Sequence, residues 1–227
     1  MDPLSDSQPA CHVPGHRIPL LSKTPPLLQI KALAVLNVAP VTLTLQAREC
    51  LCITGASGTG KTLLLRALAD LDPHDGEVLL ADVASARIAA DQWRRQVGLL
   101  PPESSWWEVR TGEHFRTGAA LPLARLGLAE SLLDAPVSRL SSGERQRLAL
   151  LRLLANQPKV LLLDEPTANL DPENTRRVEA LIAEYRQHRP AAVVWVSHDP
   201  AQVTRVATRR AVLEGGRLQE PVGKEGA

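Results

Sequence analysis

The run "CLCITGASGTGKTLLL", residues 50–65, joins a short apolar stretch to a leucine-rich one through a loop with glycines at 55, 58 and 60. An apolar run that ends in glycine reads as a buried strand, and Lys61 to about Leu71 reads as a helix. Between them Gly55, Ala56, Ser57, Gly58, Thr59, Gly60, Lys61 and Thr62 fit G-x-x-x-x-G-K-[ST]. Glycines let the backbone wrap closely around a polyphosphate, so that successive N–H groups and the helix N-terminus point at the anion. Lys61 then reaches the β- and γ-phosphates, and the Thr62 hydroxyl can ligate Mg²⁺. The plain alternative is a glycine-rich turn into a helix. Every motif position is filled here, in strand–loop–helix context, which favours the phosphate reading.

Working outward, "LLQIKAL" and "VTLTLQA" precede this unit as two strand-like runs, and "DGEVLLAD" follows it as a turn and strand. A helical pattern is expected over 85–96. "VGLL", "KVLLLDE" and "AAVVWVSH" read as further buried strands, with a helix over 173–188 between the last two. Buried strands alternating with helices predict an α/β fold, a P-loop NTPase with a mostly parallel sheet covered on both faces and a small N-terminal antiparallel β part. With 227 residues, 44% hydrophobic and 22% charged, the chain fits one globular domain with a sizeable core. Its net charge of +1 gives no field that steers it to nucleic acid or to an acidic membrane surface.

The ends differ in composition. Residues 1–26 hold six prolines and few core-forming side chains, so they are expected to be a disordered tail, as is the short end 221–227. Cys11, His12 and His16 sit in that tail and are taken as incidental rather than as a metal site. Cys50 and Cys52 alternate along a strand, no disulfide framework exists, and such thiols suit a reducing cytosol. No stretch approaches the roughly 18 apolar residues of a membrane span, and no signal-peptide pattern opens the sequence. A cytoplasmic chain is expected.

Asp164 and Glu165 end the "VLLLDE" strand about a hundred residues after the glycine loop. Alone, acids at a strand end mark a surface turn. Beside a phosphate loop, Asp164 can hold Mg²⁺ through water while Glu165 serves as general base. His198 closes the next strand on the same edge of the sheet. Asp199, followed by Pro200, reads as a helix N-cap with proline in the first turn. "LSSGERQRLALLRLLA", residues 140–155, reads as a helix opened by a capping box of Ser141 and Glu144, although a capping box needs neither a second serine nor a glycine.

Together "GASGTGKT", "LSSGE", "VLLLDE", "ANLD" at 168–171 and His198 resemble, in order and spacing, the ATP-binding subunits of ABC transporters over about 27–220. The resemblance implies ATP and Mg²⁺ as ligands and a head-to-tail dimer with a second copy of the chain. In it Ser141, Ser142 and Gly143 would close over the γ-phosphate of the partner's ATP. It also makes Asp171 an interface residue and His198 a γ-phosphate contact. It implies integral membrane transporter subunits as partners, a peripheral position on the inner face of the cell membrane, and no nucleic acid. A short helical lobe is expected at about 103–156. Shortness and "VVWVSHD" look similar to small bacterial subunits associated with iron export, which implies a metal-ion cargo. Two alternatives stay open: a soluble ABC-type ATPase acting on nucleic acid or ribosomes, and a P-loop small-molecule kinase.

The sequence also departs from that family. Residues 27–54 contain no aromatic side chain to stack on adenine, and Val35 lies near the expected place. Pro102 stands where the family has a metal-binding glutamine, so Glu103 is put forward as the substitute oxygen ligand. Trp106 and Trp107, in the segment where family members receive a short helix from the membrane subunit, are read either as a docking anchor or as lobe packing.

Overall fold

The computed structural model describes residues 25–115 and 121–220. Of the expected tail 1–26, residues 1–24, with Cys11, His12 and His16, lie outside the described residues, as does the expected end 221–227. A first sheet, ordered β2-β1-β4-β5, is antiparallel: β1 (Leu28–Val35), β2 (Val38–Leu45), β4 (Asp75–Leu80) and β5 (Val83–Ala84). β2 follows the period of a half-buried strand, with Val41, Leu43 and Leu45 inward and the residues between them outward.

The second sheet runs β10-β9-β3-β8-β7-β6. Its strands are β3 (Cys50–Thr54), β6 (Val97–Leu100), β7 (Val160–Asp164), β8 (Ala192–Val196), β9 (Arg209–Glu214) and β10 (Arg217–Gln219). All pairs are parallel except that of β10 with β9. Register sets Ile53 against Val196 and Val196 against Asp164, so β3, β8 and β7 finish level with one another. Three neighbouring loops therefore leave the same edge of the sheet, where open α/β sheets bind ligands.

Both faces of this sheet are covered, which is why its strands read as unbroken apolar runs. Leu51, Ile53, Leu162 and Val194 pack towards helix α1 (Lys61–Leu68) and the antiparallel sheet. Cys50, Cys52, Leu161, Leu163 and Trp195 pack towards α3 (Ser142–Ala155), α4 (Pro172–His188) and α5 (Pro200–Val206). Leu161 and Leu163 are fully enclosed, each worth about 1.5–3 kcal/mol of burial.

Two expectations are refined. Over 85–96 the helix α2 is confined to Ala90–Gln96, behind a 3₁₀ turn at Ser85–Arg87. In the lobe, α3 is preceded only by 3₁₀ turns at Thr111–His114, Leu123–Leu126, Glu130–Leu133 and Val137–Arg139 among the described residues. Pro122, Pro136 and Gly127, the last at φ 63°, interrupt any longer helix. Leu123, Leu126, Leu128 and Leu140 from these turns complete the core beneath α3.

The adjacent tryptophans part company. Trp106 is partly buried against that core, whereas Trp107 is 66% exposed. Both rings meet the edge of His114 at 4.7 Å, and the Arg152 guanidinium lies over both, 4.5 and 4.8 Å from their centroids.

Candidate functional site

The glycine loop runs from the end of β3 to the start of α1. Gly60 caps α1 at φ 104°, and a Cβ on it would fall 2.5 Å from Val38 Cγ2; one on Gly55 would fall 2.3 Å from the Leu213 carbonyl oxygen. Only glycine fits either place. No acidic side chain lies in the first turn of α1, so its N-terminus keeps its attraction for an anion. Lys61 is buried and donates from Nζ to the Gly55 and Ala56 carbonyls, at 2.9 and 2.8 Å. Burial lowers its pKa, while Glu165 and Asp164 nearby pull it back up.

Thr62 Oγ1 donates to Asp164 Oδ2 at 2.7 Å, across from α1 to the end of β7. Asp164 is 2% exposed, and burial pushes its carboxyl above the ordinary carboxylate range, with the Thr62 hydrogen bond opposing. A buried carboxylate beside a hydroxyl is a hard-oxygen pair, the donor chemistry that suits Mg²⁺. The next residue, Glu165, sits at φ 49°, a left-handed backbone that a residue with a side chain rarely holds. His198 Nε2 lies 3.0 Å from Glu165 Oε1. Lys61, Thr62, Glu165, His198 and the loop residues Ser57 and Gly58 line one cleft of about 290 Å³.

The other proposed residues stand elsewhere. Ser141, Ser142, Gly143, Asp171 and Glu103 do not line that cleft. Ser141 forms the expected capping box, its hydroxyl accepting from the Glu144 N–H at 3.2 Å while Glu144 Oε2 accepts from the Ser141 N–H at 2.9 Å. Ser142 is exposed, and Gly143 lies against the Asn169–Leu170 turn. Glu103 is exposed in the turn after β6, beyond Pro102. Asp199 is an N-cap, as expected, accepting from the Ala201 N–H at 2.8 Å with Pro200 behind it.

Asp171 is an N-cap of the same kind, which sequence reading missed although "DP" stands at 171–172 as it does at 199–200. Its carboxylate accepts from the Asn174 N–H at 2.8 Å and from Asn174 Nδ2 at 2.6 Å. Arg147 was missed as well. Its guanidinium donates to the Gly143 carbonyl at 3.1 Å, the Leu126 carbonyl at 2.6 Å and Asn174 Oδ1 at 2.7 Å, so the "LSSGE" turn and the Asp171 cap are held together.

A family model described as "ABC transporter" matches residues 38–168. The chain belongs to the ABC transporter family. Among its relatives is Protein STAR1 of rice (Oryza sativa subsp. japonica), 38% identical over 181 residues, which are 74% of this chain and 52% of that protein. Another is the aliphatic sulfonates import ATP-binding protein SsuB 2 of Pseudomonas savastanoi pv. phaseolicola, 40% identical over 184 residues, 79% of this chain and 66% of that protein. This ABC chain thus spans between about half and two thirds of the length of these two relatives. In fold it is similar to an ATP-binding cassette solved as a dimer in a post-hydrolysis state bound to ADP and Pi. The TM-score is 0.74 at 22% identity, covering 86% of this chain and 99% of that one. Among the described residues no helix is long and apolar enough to cross a membrane.

Proposed function

We propose that the chain is the ATP-hydrolysing subunit of an ABC transporter, working on ATP in the cleft between α1 and the ends of β7 and β8. The observation that carries this reading is the convergence of Lys61, Thr62, Asp164, Glu165 and His198 at the level ends of three adjacent strands. The loop N–H groups, Lys61 and the N-terminus of α1 bind the polyphosphate. Thr62 and Asp164 would hold Mg²⁺, which would supply charge neutralisation at the phosphoryl oxygens, and Glu103, exposed after β6 and outside the cleft, would join them as an oxygen ligand only when its loop moves in. Glu165 takes the proton of the attacking water, and His198, 3.0 Å away, orients that carboxylate and contacts the γ-phosphate.

The second half of each site comes from a second copy. Ser141, Ser142 and the Gly143 N–H close over the ATP held by the partner, with Asp171 at the same interface. Their position outside the cleft of their own chain supports this arrangement. Separate integral membrane subunits are the mechanical load, which keeps the dimer on the inner face of the cell membrane. The exposed Trp107, beside a groove shared with Arg66, Arg94 and Arg152, is the docking anchor. A metal-ion cargo follows only from the iron-export likeness. The sulfonate importer is 40% identical to this chain and is named for another cargo, and cargo choice belongs to the membrane subunits.

Glu165→Gln tests the chemistry. ATP binding is expected to persist while hydrolysis falls about 10²–10⁴-fold, the usual worth of a positioned base. Nucleotide binding by equilibrium titration and phosphate release by a steady-state assay measure the two separately, and near-normal turnover overturns the assignment.

A further inference from the structure

Beneath the turn that carries Glu165, polar side chains from separate elements meet in the apolar layer between sheet and helices. Gln202, in α5, is 2% exposed. Its Nε2 donates to Thr167 Oγ1 at 2.9 Å and to Glu179 Oε1 at 3.0 Å, while its Oε1 accepts from Trp195 Nε1 at 3.2 Å. Glu179, in α4, is buried too and accepts from Arg205 Nε and Nη2 at 2.8 and 2.7 Å.

The amide of Gln202 has no freedom left. An indole N–H only donates and a carboxylate only accepts, so turning the amide over would set like groups against each other on both sides. A leucine would pack here with no desolvation cost, whereas a buried polar group is costly unless every bond is made. The bonds made here lead towards the catalytic turn. Thr167 lies two residues past Glu165, inside a turn closed by the Ala168 N–H donating to the Glu165 carbonyl at 3.2 Å. The helix that carries Gln202 starts directly after His198 and Asp199. One side chain therefore ties the turn bearing Glu165 to the helix that follows His198.

We propose that Gln202 is a positioning residue for hydrolysis: acting through Thr167, it holds the left-handed Glu165 turn so that the carboxylate stays beside His198. The proposal rests on Glu165 being the base. Gln202 and Thr167 do not line the Lys61–Thr62 cleft; with Glu165 and His198 they line a neighbouring cavity of about 530 Å³ that the phosphate-loop residues do not reach, so the effect is expected on hydrolysis rather than on binding.

The test is steady-state ATPase with the full chain and Mg-ATP. Gln202→Leu is expected to lower kcat about 10–100-fold, the range found when outer partners of a reactive group are removed, with KM for ATP within about 2-fold. Thr167→Val, a smaller change at the rim of the network, is expected to reproduce the kcat loss, and Thr167→Ser, which keeps the hydroxyl, to restore it. Combined with Glu165→Gln, Gln202→Leu is expected to add less than about 2-fold, because residues acting as one unit are not additive. Losses that multiply, or a normal kcat in Thr167→Val, overturn the proposal. A normal kcat in Gln202→Leu beside an inactive Glu165→Gln overturns this role alone. A normal rate in Glu165→Gln overturns the base assignment and this role with it.

Discussion

Asp164 shows what the site costs the folded chain. Its carboxyl is enclosed, its pKa is raised by burial, and the Thr62 hydroxyl is its hydrogen-bond donor. Ionising it in the folded chain is therefore unfavourable. The penalty is present at pH above the raised folded value, and it is relieved as pH falls through that value towards the ordinary carboxylate range. Asp164→Asn keeps an oxygen for Thr62 and removes the charge. Without nucleotide or metal it is expected to melt about 2–4 °C higher at neutral pH, the shift that ~1 kcal/mol makes in a chain of this size. The advantage should shrink as pH is lowered, and a calorimetric scan at two pH values checks both the sign and the trend. Residues of this kind were legible in the sequence because their meaning is local: eight consecutive positions make the phosphate loop, and two acids end one strand. Gln202 was not legible. Its partners stand 7, 23 and 35 residues away and become neighbours only once β8, α4 and the β7 turn are packed.

At the scale of elements, β3, β7 and β8 could be read directly because a strand buried on both faces leaves a continuous apolar run. The lobe was harder, since repeated short turns broken by proline and glycine lack the 3.6-residue period on which a helix is recognised. The tryptophan pair illustrates the same limit: the sequence left docking and lobe packing both open, and packing turns Trp106 inward and Trp107 outward. The turn after β6 raises a functional question of its own. Pro102 has neither a side-chain acceptor nor a backbone donor, so the metal role proposed for this loop falls to Glu103. Removing that carboxylate in Glu103→Ala is expected to raise the Mg²⁺ concentration for half-maximal ATPase about 10-fold, with Pro102→Gln/Glu103→Ala recovering part of the loss. Titrating Mg²⁺ against rate decides it, and an unmoved midpoint removes Glu103 from the metal set.

For the whole molecule, the decisive prediction concerns two chains. If each site is built from the phosphate loop of one copy and the "LSSGE" turn of the other, a Lys61→Ala chain and a Ser141→Ala/Ser142→Ala chain are each inactive alone. Mixed, they form dimers in which one composite site keeps both intact halves and the other has lost both. Part of the ATPase activity is expected to return on mixing. A mixture that stays dead while mixed dimers are demonstrated by differential tagging argues for sites complete within one chain. The interior offers a last consequence. Cys50 and Cys52 are 1% and 0% exposed on β3, the central strand that ends in the phosphate loop. Cys50 borders a cavity of about 270 Å³ beneath α4 and α5, whereas Cys52 is enclosed, so a thiol reagent meets Cys52 when the packing around β3 opens. The rate at which the Cys52 sulfur becomes labelled is thus a clock for how often the strand beneath the nucleotide cleft comes free, and a ligand that grips the loop should slow it.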